Sequence, residues 1–223
     1  MSSDPHGELR LAWSRIEARG ADAREFLQGQ LTQDLDGVDA RAALVLSPDG
    51  AVIADLTVSV APEGYDLVVA SDLADATLTR LRRFLLRVDC TFEVVAEADG
   101  RFATLAERVD AAWPGANEYA RALSPHSFGA AFVEQTVSFT KGCYPGQEIV
   151  ARLDSRGARV PFRLVVARGE SVVAIDAVLR AAGPAGPSGV TSSVERDGVV
   201  FALGFAHRSL TDGEHDAVSL LTA

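Results

Sequence analysis

The sequence predicts an α+β protein with a small antiparallel β-barrel at its carboxyl end. Before Gly157, strand and helix patterns are joined by antiparallel returns and not by a repeated strand–helix–strand series. After Gly157 the pattern changes to short strands separated by glycine and proline, which is typical of a small barrel. We therefore expect two domains, residues 1–157 and residues 158–223.

The first elements are a strand and a short helix. Residues 9–16 have the apolar content of a strand, and Asp22 with Glu25 has the spacing of a capping pair that opens a helix. The apolar face of this helix is Ala23, Phe26, Leu27 and Leu31.

A hairpin, a third strand, a longer helix and a returning strand follow. The predicted strands are 44–46, 52–60, 65–70 and 91–96. The hairpin turn is 47–50, with proline and glycine where a type I turn favours them. The helix covers 72–87, and its predicted buried stripe is Leu73, Leu81, Phe84, Leu85 and Val88.

Alternation along the hairpin assigns its second strand two faces. The predicted core residues are Leu56, Val58 and Val60. Asp55 therefore lies on the opposite, polar face together with Thr57 and Ser59. An acid in this position is either exposed to solvent or part of a site, and the alternation alone leaves both alternatives open.

The carboxyl-terminal part is predicted to contain only strands. Their bounds are 160–167, 177–181, 190–194, 199–207 and 217–221. The stretch 182–187 is rich in glycine and proline, and we expect a loop within the barrel there.

A lone cysteine lies in a glycine-hinged turn before a predicted helix. Residues 137–139 are typical of an extended approach, and Gly142 with Pro145-Gly146 supplies the turn. The helix covers 147–153, with Ile149, Val150 and Leu153 on one face and Gly157 at the position of a carboxyl-terminal cap. The helix amides and the Lys141 ammonium are expected to favour a Cys143 thiolate. An ordinary buried cysteine is the alternative.

Composition favours a globular protein of the cytoplasm and disfavours several partners. The net charge of −10 speaks against direct binding of nucleic acid. One cationic cluster, Arg80, Arg82, Arg83 and Arg87, is expected either to complement the dipole of its helix or to form a partner surface. The amino terminus has no secretory pattern, no apolar run reaches membrane-spanning length, and the cysteines and histidines have no metal-ligand spacing.

The cysteine segment also carries a family resemblance. The run from Ser138 to Arg152, SFTKGCYPGQEIVAR, resembles the K-G-C-[FY]-x-G-Q-E motif of the YgfZ family of folate-binding proteins. That family is related to the T-protein, the aminomethyltransferase of the glycine cleavage system. Residues 20–35 resemble the family's first helix, and residues 46–60 resemble its hairpin. Residues 189–193 and 202–205 resemble two strands of its barrel. Residues 98–127 are abbreviated relative to the family and match little of it.

The resemblance implies a T-protein-like folate-binding portion ahead of the barrel, with tetrahydrofolate or another reduced folate as cofactor. It implies an accessory function in the assembly or maintenance of iron–sulfur enzymes, and through them in tRNA modification. The implied partners are those enzymes or their assembly factors. Cys143 would be the reactive centre. Candidate folate contacts are Asp34, Asp55, Lys141, Gly142, Tyr144, Gly146, Gln147, Glu148 and Arg152.

Two alternatives remain open. In the T-protein the second acid of an Ile-Asp-Asp-Leu motif assists chemistry at the folate nitrogen, and Asp55 occupies that place in Ile53-Ala54-Asp55-Leu56. The chain would then be a tetrahydrofolate-dependent aminomethyl or one-carbon transferase with Asp55 as its catalytic acid or base. The glycine-rich pterin-binding segment of the T-protein has no counterpart in 98–127, which speaks against this activity. The second alternative is an interaction module without folate.

Overall fold

Two antiparallel sheets, each of five strands, organise the protein. The computed structural model describes residues 9–37, 39–181 and 183–223. The polar amino-terminal segment 1–8 and the first residue of the predicted loop at 182–187 lie outside the described residues.

The first sheet has the strand order β2-β3-β4-β1-β5. Its strands are β1 (Trp13–Arg19), β2 (Ala40–Leu46), β3 (Val52–Ala61), β4 (Gly64–Ala70) and β5 (Thr91–Ala96). The helices of this part are α1 (Ala23–Gln30), α2 (Ala74–Arg82), α3 (Leu105–Asp110), α4 (Ala116–Tyr119), α5 (Ala130–Thr136) and α6 (Gln147–Ser155). Short 3₁₀ turns lie at Ser71–Leu73 and Pro125–Phe128.

Three details of the amino-terminal part differ from the prediction. The first strand lies later in the chain than expected, at Trp13–Arg19. Asp22 precedes α1 without capping it, because its carboxylate accepts a 2.8 Å hydrogen bond from the Asp89 amide instead. Helix α2 ends at Arg82, five residues before the predicted end, so Phe84 is 41% exposed and does not lie in a buried stripe.

The hairpin between β2 and β3 forms as predicted. The Gly50 amide donates to the Ser47 carbonyl at 2.9 Å, and Gly50 has a φ of +80° that favours glycine. Leu56 and Val58 are buried in the core, as their alternation predicts. Val60 is 58% exposed close to the turn that joins β3 to β4, so its predicted core position is wrong.

The carboxyl-terminal strands form an open sheet, and the predicted barrel is wrong. The order is β7-β8-β6-β10-β9, which leaves β7 and β9 as edges. The elements are β6 (Phe162–Gly169), α7 (Val172–Ala181), β7 (Gly189–Arg196), β8 (Val199–His207), β9 (Gly213–His215) and β10 (Val218–Thr222).

A helix occupies the place of one predicted barrel strand. Residues 177–181 form the end of α7, whose fully buried Ile175 and Leu179 lie one helical turn apart. Both pack in one apolar cluster with residues of the sheet such as Val165 and Ala202. The helix therefore covers one apolar face of the open sheet.

The two sheets share part of their core. Leu164 and Phe205 of the second sheet belong to the same buried cluster as Leu27 and Leu56 of the first part. The boundary that we predicted at residue 157 falls between α6 and β6 and stays a prediction. The shared core brings the region between α3 and α5 against both sheets, and the candidate site lies beside it.

Candidate functional site

Cys143 is exposed to solvent on the turn that leads into α6. The Gln147 amide donates to the Tyr144 carbonyl at 3.2 Å, and Gly146 has φ +84° and ψ −5°. These angles belong to the third residue of a type II turn, for which Pro145 is a favoured second residue. The predicted turn and helix are therefore confirmed, and the alternative of a buried cysteine is wrong.

Lys141, two residues before the thiol, is buried and holds the turn in place. Lys141 is the only lysine in the sequence, and it is 8% exposed. Its ammonium donates to the Leu31 carbonyl at 2.7 Å, to the Gln33 carbonyl at 3.2 Å and to the Gln28 carbonyl. Burial lowers the pKa of Lys141 to about 8. This ammonium therefore joins the thiol turn to the end of α1.

Further hydrogen bonds join the same two segments. Thr32 Oγ1 donates to the Thr136 carbonyl at 2.6 Å, and the Ser138 amide donates to the Thr32 carbonyl at 2.9 Å. The Gln33 side chain donates to the Gln135 carbonyl at 3.2 Å. Two of the stretches that carry the family resemblance thus form one structural unit.

Asp34 lies at the edge of this unit. Its carboxylate accepts hydrogen bonds from the Gln28 side chain at 2.8 Å and from the Asp36 amide at 3.1 Å. The pKa of Asp34 is lowered, mainly by the Gln28 hydrogen bond, and the positive charge of Lys141 adds to the effect. The structure therefore brings Asp34 and Lys141 together, as candidates for the same site.

The other candidates of the motif differ in what they face. Glu148 and Arg152 form an ion pair one turn apart on the exposed side of α6, so an anionic ligand would compete with Glu148 for Arg152. The Tyr144 ring is buried, its hydroxyl has no hydrogen-bond partner among the described residues, and burial raises its pKa to about 12. Gly142 is exposed, with open space where a side chain would be.

Asp55, the second catalytic candidate, is enclosed. It is 6% exposed, and both carboxylate oxygens are occupied. Oδ2 accepts from the Trp113 indole at 2.8 Å, and Oδ1 accepts from the Tyr119 hydroxyl at 2.9 Å. Burial raises the pKa of Asp55, although these hydrogen bonds and the charge of Arg101 oppose the rise. The alternative of a solvent-exposed acid is therefore wrong.

A buried ion pair supports the residues that enclose Asp55. Arg108 donates to Glu118 at 2.7 Å and to the Ser192 hydroxyl of β7 at 2.7 Å. Ser192 in turn donates to the second oxygen of Glu118 at 2.8 Å. Glu118 precedes Tyr119 in α4, so this network fixes α4 against the second sheet.

Sequence reasoning missed Trp113 and Tyr119. Both lie in 98–127, where the family resemblance is weakest, and no spacing pairs them with an acid some 60 positions away. The one available signal is chemical: a buried tryptophan or tyrosine needs a polar partner for its N–H or O–H.

A cleft of about 400 Å³ lies between the hairpin turn and α4. Its lining includes Ser47, Asp49, Ile53, Leu73 and Tyr119. Tyr119 connects the cleft with Asp55, because it belongs to the lining of the cleft and its hydroxyl contacts the acid. Neither Cys143 nor Asp55 is part of the lining.

The cleft and the thiol turn share the hairpin turn as a common wall. A Cβ atom added to Gly146 would lie 2.7 Å from the Ser47 carbonyl oxygen. A Cβ atom added to Gly50 would lie 3.0 Å from Cβ of Ile149 in α6. Glycine is required at both positions for this close approach, and it places the start of α6 directly behind Ser47.

Two other kinds of site are absent from the part of the chain that the structure describes. Among residues 9–37, 39–181 and 183–223, no group of three or more His, Cys, Asp or Glu residues is arranged to hold a metal ion. Within the same described residues, none of the helices combines the length and apolar character needed to cross a membrane.

Comparisons with known proteins show the fold. No family model matches the sequence. An uncharacterized protein of Haemophilus influenzae is 27% identical, over 64% of this chain and 66% of the relative, slightly under two thirds of its length. The crystal structure of glycine cleavage system aminomethyltransferase T from Bartonella henselae aligns with a TM-score of 0.61 and 15% identity. That alignment covers 99% of this chain and 89% of the other, and it confirms the predicted T-protein-like fold.

Proposed function

We propose that this protein is a folate-binding accessory protein of the YgfZ type, which assists the assembly or maintenance of iron–sulfur enzymes in the cytoplasm. Through those enzymes it would affect tRNA modification. One observation carries the proposal: Cys143 is exposed on a turn whose neighbours Lys141 and Tyr144 are buried. A thiol presented in this way is accessible to a partner while its position is kept.

The enclosure of Asp55 supports an accessory role over transfer of an aminomethyl or one-carbon group. A general acid or base must come within hydrogen-bond reach of the reacting atom. Asp55 instead has both oxygens bound to Trp113 and Tyr119, and Tyr119 also belongs to the lining of the cleft. A folate in the cleft would therefore contact Tyr119 and not Asp55, which is outside the lining.

The cleft supports folate as the ligand. Its volume of about 400 Å³ lies within the range of small-molecule sites. Ile53 and Leu73 offer apolar walls for a pterin, and the Asp49 carboxylate offers an acceptor for the pterin's donor edge. The cofactor would be tetrahydrofolate or another reduced folate, which would supply the one-carbon chemistry, with Arg152 as the candidate contact of its anionic tail. Lys141, the other candidate, is buried and donates to three backbone carbonyls.

Isothermal titration of the protein with tetrahydrofolate tests the ligand. The wild type is expected to bind saturably. Ala120→Trp fills the cleft from an exposed position of its lining and should weaken binding by about tenfold or more. Ala111→Trp, at an exposed position outside the lining, is the matched control and should bind like the wild type. Heat without saturation in the wild type would favour an interaction module.

A complementation assay separates the accessory role from transfer chemistry. The measured quantity is the activity of an iron–sulfur tRNA-modifying enzyme in cells that lack this protein. Cys143→Ser is expected to fail to restore that activity, whereas Asp55→Asn, checked for folding by circular dichroism, restores it. The opposite pattern would support the transferase. Restoration by both variants would contradict the role of the thiol.

A further inference from the structure

The segment after α2 exposes large apolar side chains. Leu86 is 81% exposed and Phe84 is 41% exposed. Between and behind them, Leu85 and Val88 are partly buried against the main core. The sequence pattern predicts a helix in which Phe84 is buried, but the chain leaves the helix at Arg82 and exposes 83, 84, 86 and 87, while 85 and 88 stay partly buried.

The same segment carries unpaired positive charge. Arg83 and Arg87 are exposed, and among the described residues neither takes part in an ion pair with an acid. The whole chain has a net charge of −10, so this patch has the opposite sign to the rest of the molecule. We call Arg83, Phe84, Leu86 and Arg87 the arginine–leucine surface.

Buried contacts hold this surface close to the thiol turn. Arg80 is 8% exposed and lies with its guanidinium carbon 4.5 Å from the centre of the Phe84 ring. Its Nε donates to the Leu46 carbonyl at 2.8 Å. Leu46 precedes Ser47, whose carbonyl is in close contact with Gly146 at the start of α6. The arginine–leucine surface and the thiol turn therefore flank the same hairpin end.

We propose that the arginine–leucine surface docks an acidic segment of a partner protein. An apolar side chain of the partner would pack on Phe84 and Leu86, and its carboxylates would pair with Arg83 and Arg87. Arginine and aromatic residues are enriched in protein–protein interfaces, and an exposed leucine adds apolar area that a partner can bury. That the partner is an iron–sulfur enzyme or an assembly factor rests on the proposed function. The surface itself rests on exposure and charge alone.

Charge favours an acidic protein segment over two other ligands of this surface, an anionic lipid membrane and a second copy of the chain. An anionic lipid surface would repel a molecule with a net charge of −10, whereas a protein partner needs to present its acids only locally. In a two-fold symmetric dimer, a second copy of the chain would place the four residues against their own equivalents, with like charges facing each other. An acidic protein segment is thus favoured over both.

Fluorescence anisotropy with a labelled peptide tests the docking surface. The probe is a 12-residue peptide in which glutamate alternates with leucine and phenylalanine. The wild type is expected to bind it saturably, and more weakly as the salt concentration rises from about 50 mM to about 300 mM. Leu86→Ser and the double variant Arg83→Glu/Arg87→Glu should each weaken binding about tenfold. Val173→Ser, at a position 79% exposed in α7, and Arg159→Glu are matched controls that should bind like the wild type.

The same variants separate this proposal from the proposed function. Tetrahydrofolate titration should be unchanged in Leu86→Ser, because the residue lies outside the cleft. Absence of peptide binding by the wild type, or equal binding by the variants, would overturn the docking surface while leaving folate binding intact.

Equal binding of a peptide with glutamine in place of glutamate would overturn the charge pairing. Binding to vesicles with 30% phosphatidylglycerol, or self-association in sedimentation that Leu86→Ser abolishes, would assign the surface to another occupant.

Discussion

Cys143 and Asp55 are the two candidate catalytic residues of this chain, and they differ in solvent exposure: Cys143 is exposed and Asp55 is buried. The thiol projects from a turn into solvent, and the carboxylate is closed in by Trp113 and Tyr119. Each is held by a separate buried polar network. Lys141 and three backbone carbonyls hold the thiol turn, and the Arg108–Glu118 pair holds the helix over Asp55.

The difference shows that two candidates chosen from the sequence can have opposite environments in the fold. A buried carboxylate whose oxygens are both occupied stabilises its surroundings, whereas an exposed thiol on a fixed turn is available for reaction. The thiol is therefore the group that we propose as functional, and the carboxylate is a structural contact between β3 and the region before α5.

The largest effect is expected from breaking the network over Asp55. Glu118→Ala leaves the buried Arg108 guanidinium without its partner, which should lower the free energy of unfolding by about 3–5 kcal/mol. Urea denaturation followed by circular dichroism measures the change. Asp110→Ala removes an exposed ion pair with Arg196 and should cost less than about 1 kcal/mol. Equal losses in the two variants would show that the buried network has no special role.

A smaller loss is expected from the network under the thiol. Lys141→Arg replaces a compact ammonium, which serves three converging carbonyls, with a planar guanidinium that does not match them. The free energy of unfolding should fall by about 2 kcal/mol, as judged by urea denaturation. Arg24→Met, which removes an exposed ion pair with Asp36, is the control and should have little effect. Full stability of Lys141→Arg would contradict the anchoring role.

The enclosure of Asp55 should also appear in the pH dependence of stability. Because burial raises its pKa in the folded state, Asp55 ionises first in the unfolded chain as the pH rises above about 3.9. The folded state then binds the additional proton, so this group lowers stability with rising pH, by at most about 1.4 kcal/mol per pH unit.

Comparison of slopes tests this assignment. The free energy of unfolding of Asp55→Asn, measured by urea denaturation from pH 4 upward, should lack this downward contribution and therefore fall less steeply than that of the wild type. The comparison uses the slope of the free energy of unfolding against pH and not its absolute value, since asparagine also changes the hydrogen bonds to Trp113. Parallel curves would mean that Asp55 is ionised with its ordinary pKa.

The smallest effect on stability is expected at the thiol itself. Cys143→Ser should change the free energy of unfolding by less than about 0.5 kcal/mol, because the side chain is exposed. Native labelling with iodoacetamide should modify Cys143 and spare Cys90, which is buried and whose pKa is raised mainly by that burial. Mass spectrometry identifies the labelled site. Rapid labelling of Cys90 in the wild type would contradict the burial of that thiol.

Local signals predicted much of the amino-terminal part. The hairpin turn, helix α1, the strand at 91–96 and the turn before α6 follow from glycine and proline positions and from apolar spacing within a few residues. The error at 177–181 has a local cause, since a short apolar run fits a strand or a buried helix equally well. The sequence does not indicate that α2 ends at Arg82, because arginine and leucine, which are good helix formers, lie on both sides of that residue.

The sequence by itself determined the candidate residues and the turn that carries Cys143, because turn chemistry acts between neighbours in the chain. Only the tertiary structure decided which candidate is accessible. Asp55 is enclosed by side chains 58 and 64 positions away, and the Lys141 ammonium donates hydrogen bonds to carbonyls more than 100 positions away. Burial and pairing of this kind depend on how sheets and helices pack, and no local spacing encodes that packing.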